Sequence, residues 1–271
     1  MFPMFGKFSK PILCLAVFFS AVVFADAGFW GDLYGDWHEG YTKFHDAAKA
    51  GDVEKLAYYL DRGYDINKRS RSAKCTALGV AVCSRQYDAA KFLLEQGADP
   101  SIPYLFGSRY RTPLQAAAEY GRMNFIQLLM QYVDSVDEGM DDPYPSCYGS
   151  AFTWACAEGH LDIAKYLLEK GANINVKNSS HAGTPLVASV RQLRLESVRF
   201  LLANGANTTI PDKLHGRTPL GWCEKILDPK FSSVRSILEW QQHGAISDHQ
   251  LQAGTNTCRE IIALLKAVEN Q

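Results

Sequence analysis

Residues 150–176 read SAFTWACAEGHLDIAKYLLEKGANINV. Ser150 precedes an apolar helix, and its side-chain oxygen can cap that helix by accepting a backbone N–H. Ala155-Cys156 keeps the helix slim enough for a neighbour to approach closely. Gly159 can take a positive φ at a turn between two helices. The second helix ends in Leu167-Leu168, and Gly171 stops it. Asn173 suits the loop that follows, because a short polar side chain bonds its own backbone there. This is a helix–turn–helix unit, and one such unit cannot bury its apolar face alone.

The same register extends in both directions. A capping Thr or Ser recurs at Thr42, Thr76, Thr112, Ser150, Thr184 and Thr218, at intervals of 34, 36, 38, 34 and 34 residues. Thr112-Pro113-Leu114, Thr184-Pro185-Leu186 and Thr218-Pro219-Leu220 put a proline in the first helical turn, where its missing N–H costs nothing. Apolar pairs before a glycine recur at Tyr59-Leu60 with Gly63, Leu93-Leu94 with Gly97, and Leu201-Leu202 with Gly205. These residues resemble the ankyrin repeat, over roughly residues 41–246. The resemblance implies an all-α fold: an ankyrin-repeat solenoid of about six helix–turn–helix repeats with projecting loops. The repeats would fill residues 42–246 and start near 42, 76, 112, 150, 184 and 218. Departures stand at Arg85 and Leu193, where an inter-helix glycine belongs. Others are Tyr132-Val133, where a terminal glycine is missing, and Pro229, which breaks the helix pattern.

The ends read differently. Residues 1–27 combine Lys7 and Lys10, an uncharged apolar run over 11–24, and small residues before a cut after Ala25 or Ala27. That is the layout of a secretory signal peptide, and the run is shorter than the roughly 20 residues of a membrane span. Export to the periplasm with cleavage is expected, with no stable membrane anchor left; onward secretion is the alternative. Residues 28–41, with Phe29, Trp30, Tyr34, Trp37 and Tyr41, are expected to be an aromatic cap on the first repeat. Residues 247–271 are expected to form a C-terminal capping helix.

The net charge of −1 argues against a nucleic-acid partner. Enzymatic signatures are missing: Trp37-His38-Glu39-Gly40 lacks the second His of a zinc-protease helix, and there is no phosphate loop or nucleophile elbow. No catalytic residue, cofactor or metal is expected, and the chain is expected to be a monomer. In such stacks the free positions are the loops between repeats and the open face of each first helix. The expected partner-binding residues are therefore Tyr104, Leu105, Phe106, Arg109, Tyr110 and Arg111 in one aromatic and basic loop. Tyr120 and Trp154 on first helices and Tyr144 in an acidic loop join them. Asn178-Ser179-Ser180 matches a glycosylation acceptor. After cleavage six cysteines remain, and Cys223 with Cys258 is the preferred disulfide, because their helices are neighbours.

What the resemblance implies about function is a protein partner. Exported bacterial relatives include self-protection (immunity) proteins that inhibit a cell-wall hydrolase or a toxin. A secreted effector that binds a host protein is one alternative, and a scaffold protecting an oxidative-stress enzyme is another.

Overall fold

The structure is a computed structural model, described over residues 43–70, 74–106, 109–137, 149–178, 183–228, 233–242 and 245–270. The chain divides after Lys43, and the described residues belong, Lys43 apart, to the second unit, Phe44–Gln271. The expected signal peptide, the aromatic cap, Tyr144 and Cys147 lie outside the described residues, as do the side chains of Phe106 and Arg109.

Short helices come in pairs: α1 (Lys43–Ala50) with α2 (Val53–Asp61), and α3 (Ala77–Cys83) with α4 (Tyr87–Glu95). A two-stranded hairpin follows, β1 (Tyr104–Phe106) and β2 (Arg109–Arg111). Then come α5 (Pro113–Glu119) with α6 (Met123–Leu129), α7 (Ala151–Glu158) with α8 (Leu161–Glu169), and α9 (Pro185–Arg191) with α10 (Leu195–Ala203). The pair α11 (Pro219–Leu227) and α12 (Ser233–Gln242) leads into the long α13 (Asp248–Glu269).

Five first helices, α3, α5, α7, α9 and α11, begin at the capping hydroxyl that set the register, while Thr42 before α1 lies outside the described residues. Thr76, Thr112, Ser150, Thr184 and Thr218 accept the backbone N–H three residues on. Thr112 and Gln115 complete a reciprocal capping box. The first helices pack in a row, α3 to α5 to α7 to α9 to α11, and second helices pack on one another behind them. Their seam is filled by Leu93, Ile126, Leu129, Ile163, Leu167 and Leu201, all buried. Between the helices of a pair the chain turns left-handed. Gly51, Gly121 and Gly159 supply that turn, with φ of 77°, 68° and 83°. Arg85 and Leu193 adopt it as well, at 63° and 54°. The departures in sequence therefore keep the same turn, at the expense of a conformation that side-chain-bearing residues disfavour. The helix α11 ends at Leu227 with Asp228 as its C-cap, and Pro229 lies outside the described residues.

Backbone carbonyls at the ends of first helices are met by long polar side chains from the next pair. Arg122 donates to the carbonyls of Val82 and Cys83, His160 Nε2 to Glu119 O at 3.1 Å, and Arg194 Nε to Ala157 O at 3.0 Å. A donor beside a helix C-terminus satisfies orphan carbonyls and opposes the helix dipole, so these residues lock one pair onto the previous one.

His45 plays a related part at the N-terminal end. It is fully buried, and its Nε2–H is shared between the carbonyls of Cys75 at 2.9 Å and Lys68 at 3.1 Å. Burial holds its imidazole below the ordinary histidine value, against the pull of those carbonyls. The neutral ring is therefore the folded form. Its contribution is complete above about pH 6.5, the unfolded value, and is lost as pH falls from there towards the folded value. Thermal melts should show stability dropping between about pH 7 and pH 5, with a smaller drop in His45→Gln. Equal slopes for both proteins would refute this assignment.

At the C-terminal end α13 packs on α10, α11 and α12. Cys223 and Cys258 meet there, both fully buried, with Cys258 Sγ 3.7 Å from the Cys223 carbonyl. The two residues of the preferred disulfide are thus neighbours, with free thiols in the structure. Among the described residues no helix is long and apolar enough to cross a membrane.

Candidate protein-binding surface

The loop chosen from sequence is the hairpin β1–β2, with Tyr104 opposite Arg111, Leu105 opposite Tyr110 and Phe106 opposite Arg109. Alternation along a strand sends successive side chains to opposite faces, and here it decides which residues can meet a partner. Tyr104 points inwards and is 1% exposed. Its hydroxyl lies 2.9 Å from Cys83 Sγ, and its ring covers Gly79 so closely that a Cβ there would sit 2.9 Å from it. Burial raises the phenol well above its ordinary value, and burial also raises the thiols of Cys75 and Cys83. These groups are packing elements, not nucleophiles.

Arg111 also turns in. Its guanidinium is 2.7 Å from Glu119, with both side chains largely shielded, and lies 5.1 Å from the centre of the Trp154 ring. Trp154 is itself buried. The expectation that Tyr104, Arg111 and Trp154 contact a partner is therefore corrected. One face of the hairpin and the adjoining helices consume them in an internal ion pair, a cation–π contact and a ring-over-glycine contact. Leu105 and Tyr110 are half-buried, and Tyr120 remains exposed at 37%. Tyr120 stands beside this cluster, with Arg122 4.8 Å from its ring centre and Arg111 Nη1 3.5 Å from its hydroxyl. The open face at the third pair is thus a tyrosine held by two guanidiniums, a rigid amphipathic contact group.

Asn178 is not a glycan acceptor in this fold. Its carboxamide is buried, accepting from Ser150 N at 3.0 Å and donating to Thr153 Oγ1 at 3.1 Å and to the Gly183 carbonyl.

A second exposed region went unread in the sequence, around residues 211–222. Asp212 lies buried in its loop. Its carboxylate accepts the Trp222 indole N–H at 2.7 Å and the backbone N–H groups of His215 at 2.6 Å and Arg217 at 3.2 Å. Burial opposes its charge, yet these donors hold the carboxyl below the ordinary carboxylate value. The carboxylate thereby sets the conformation of a loop whose other side chains face outwards. The only available signal was an Asp ten residues before a Trp, across the capping Thr218, which periodicity cannot flag. Among the described residues no group of three His, Cys, Asp or Glu could hold a metal ion.

Helix pairs capped by Thr and Pro and stacked through leucine seams define a repeat scaffold. The comparisons agree. The chain matches the family described as Ankyrin repeats (3 copies) over residues 21–104 and 102–178. It belongs to the ankyrin-repeat family. It is 30% identical over 149 residues to the putative ankyrin repeat protein YahD of Escherichia coli, spanning 53% of this chain and 67% of that one. It is 27% identical over 143 residues to alpha-latrocrustotoxin-Lt1a of Latrodectus tredecimguttatus, covering 52% of this chain and 9% of the toxin. The ankyrin repeat domain of Bcl-3 has the same fold, with a TM-score of 0.56 at 22% identity, over 78% of this chain and 89% of that domain. Ankyrin repeats are protein-binding scaffolds and generally carry no enzymatic activity, so this chain is read as a scaffold.

Proposed function

We propose that this stack works in the bacterial periplasm, where it binds and neutralises a partner enzyme of the cell-wall hydrolase or toxin type as a self-protection protein. Two observations support this reading: the signal-like residues 1–27, and the preorganised face around Tyr120, whose side chain is already fixed by Arg111 and Arg122. A contact group fixed before docking loses little ordering entropy on binding. A bacterial protein is among its relatives, matched over 67% of that protein's length. The test is fractionation of the native host followed by assay of the co-purified protein. The partner should be periplasmic, and its hydrolytic activity should fall when this chain is added in equal amount. A cytosolic location, or a partner of unchanged activity, would contradict the proposal.

Export also predicts the state of Cys223 and Cys258. In an oxidising compartment the two thiols give up two protons and two electrons to a disulfide-exchange partner as the chain folds. Peptide mapping of periplasmic protein should recover them cross-linked, and reduction should lower stability by about 3 kcal/mol. Free thiols throughout would count against both the bond and the compartment.

A further inference from the structure

The loop at residues 211–217 and the neighbouring residues 176–178 carry charge of one sign on their outer side. Lys177 and Lys213 are exposed and line an open cleft of about 290 Å³, completed by Asn178, Gly183, Thr184 and Pro211. Among the described residues that lining contains two lysines and no carboxylate. Next to Lys213, Leu214 is 53% exposed, the most exposed large apolar side chain among the described residues. Trp222 continues the surface, with Arg191 and Arg217 at 4.7 and 5.2 Å from its ring and His215 edge-on at 5.1 Å.

The acid of the 211–217 loop faces away. Asp212 is spent on the indole and on two backbone N–H groups beneath the loop. Desolvation and then the charge of Arg217 push the Lys225 ammonium below its ordinary value, with Asp228 opposing. An apolar tip flanked by cations on two adjacent loops favours a ligand that brings both carboxylates and an apolar side chain. A nucleic acid would instead favour an extended basic track without an exposed leucine at its centre.

We infer that these two loops dock an acidic segment of the partner protein, a stretch of Asp and Glu whose apolar side chain covers Leu214 while its carboxylates meet Lys177, Lys213 and Arg217. The inference rests on the reading that the stack binds a protein, and it names the chemistry of one part of that partner.

The full chain is titrated with a labelled Glu-rich peptide carrying one central Leu, with its Gln counterpart, and with a single-stranded DNA of equal charge, all followed by fluorescence anisotropy. The Glu peptide should bind, and its affinity should fall at least about tenfold between low and roughly physiological salt. Lys177→Glu/Lys213→Glu should weaken it by about tenfold or more, and Leu214→Ala by several-fold, without change in melting temperature. Absence of binding, equal binding of the Gln peptide or of the DNA, or variants that bind as the parent does would each overturn the inference. The two readings can also fail separately. A periplasmic partner that binds the Lys177→Glu/Lys213→Glu variant unchanged removes this docking surface and leaves the scaffold reading intact.

Discussion

Tyr104→Ala should lower the unfolding free energy by about 4 kcal/mol, measured in denaturant melts. The ring is among the largest fully buried side chains in the described structure, lying over Gly79 with its hydroxyl on Cys83. Truncation removes that burial and opens a cavity between the second and third helix pairs. Because stability in a stack is carried between nearest neighbours, a gap there uncouples one end of the array from the other. Tyr104→Phe keeps the ring and loses only the contact with the Cys83 thiol, so it should cost about 1 kcal/mol. Similar small losses for both variants would mean that the ring is not the packing element described. A binding assay that used Tyr104→Ala would report unfolding, so Tyr110 and Tyr120 are the positions on which to test recognition.

Glu119→Gln should cost about 3 kcal/mol, close to the first effect in size. It removes the carboxylate charge 2.7 Å from the shielded Arg111 guanidinium, which lies beside Trp154. The loss arises from keeping a shielded cation after that carboxylate is gone, more than from the bond itself. Replacing both partners by apolar groups, as in Arg111→Met/Glu119→Leu, should therefore recover most of the stability. A double variant as unstable as the sum of the singles would refute this, and a thermodynamic cycle of melts measures it directly.

Much of the fold was legible because its determinants are local and periodic. A hydroxyl three residues before a backbone N–H, a proline at the first turn and an apolar pair before a glycine recur at intervals of 34 to 38 residues, and each has the same structural effect where it recurs among the described residues. Arg85 and Leu193 broke the pattern in sequence but not in space, since the packed helices on either side impose the left-handed turn on them. The binding surface was less legible. Tyr104, Arg111 and Trp154 have the composition of a recognition patch, but strand alternation turns Tyr104 and Arg111 inwards, Glu119 holds Arg111 there, and Trp154 is buried on α7. A loop read only by its residue types does not show which of its two faces the neighbouring helix occupies. The Asp212–Trp222 pair was missed for a related reason, because a buried acid and an indole ten positions apart meet only after the loop closes.

The central claim is that this stack exists to hold another protein. Native mass spectrometry of the full chain purified gently from its own host tests it most directly. The prediction is a stoichiometric complex with one protein, retained by Tyr104→Phe and weakened by at least about tenfold in Tyr120→Ala, which removes an exposed contact group. A chain recovered alone under conditions that preserve other complexes, or a complex indifferent to the loops and first-helix faces, would contradict the account.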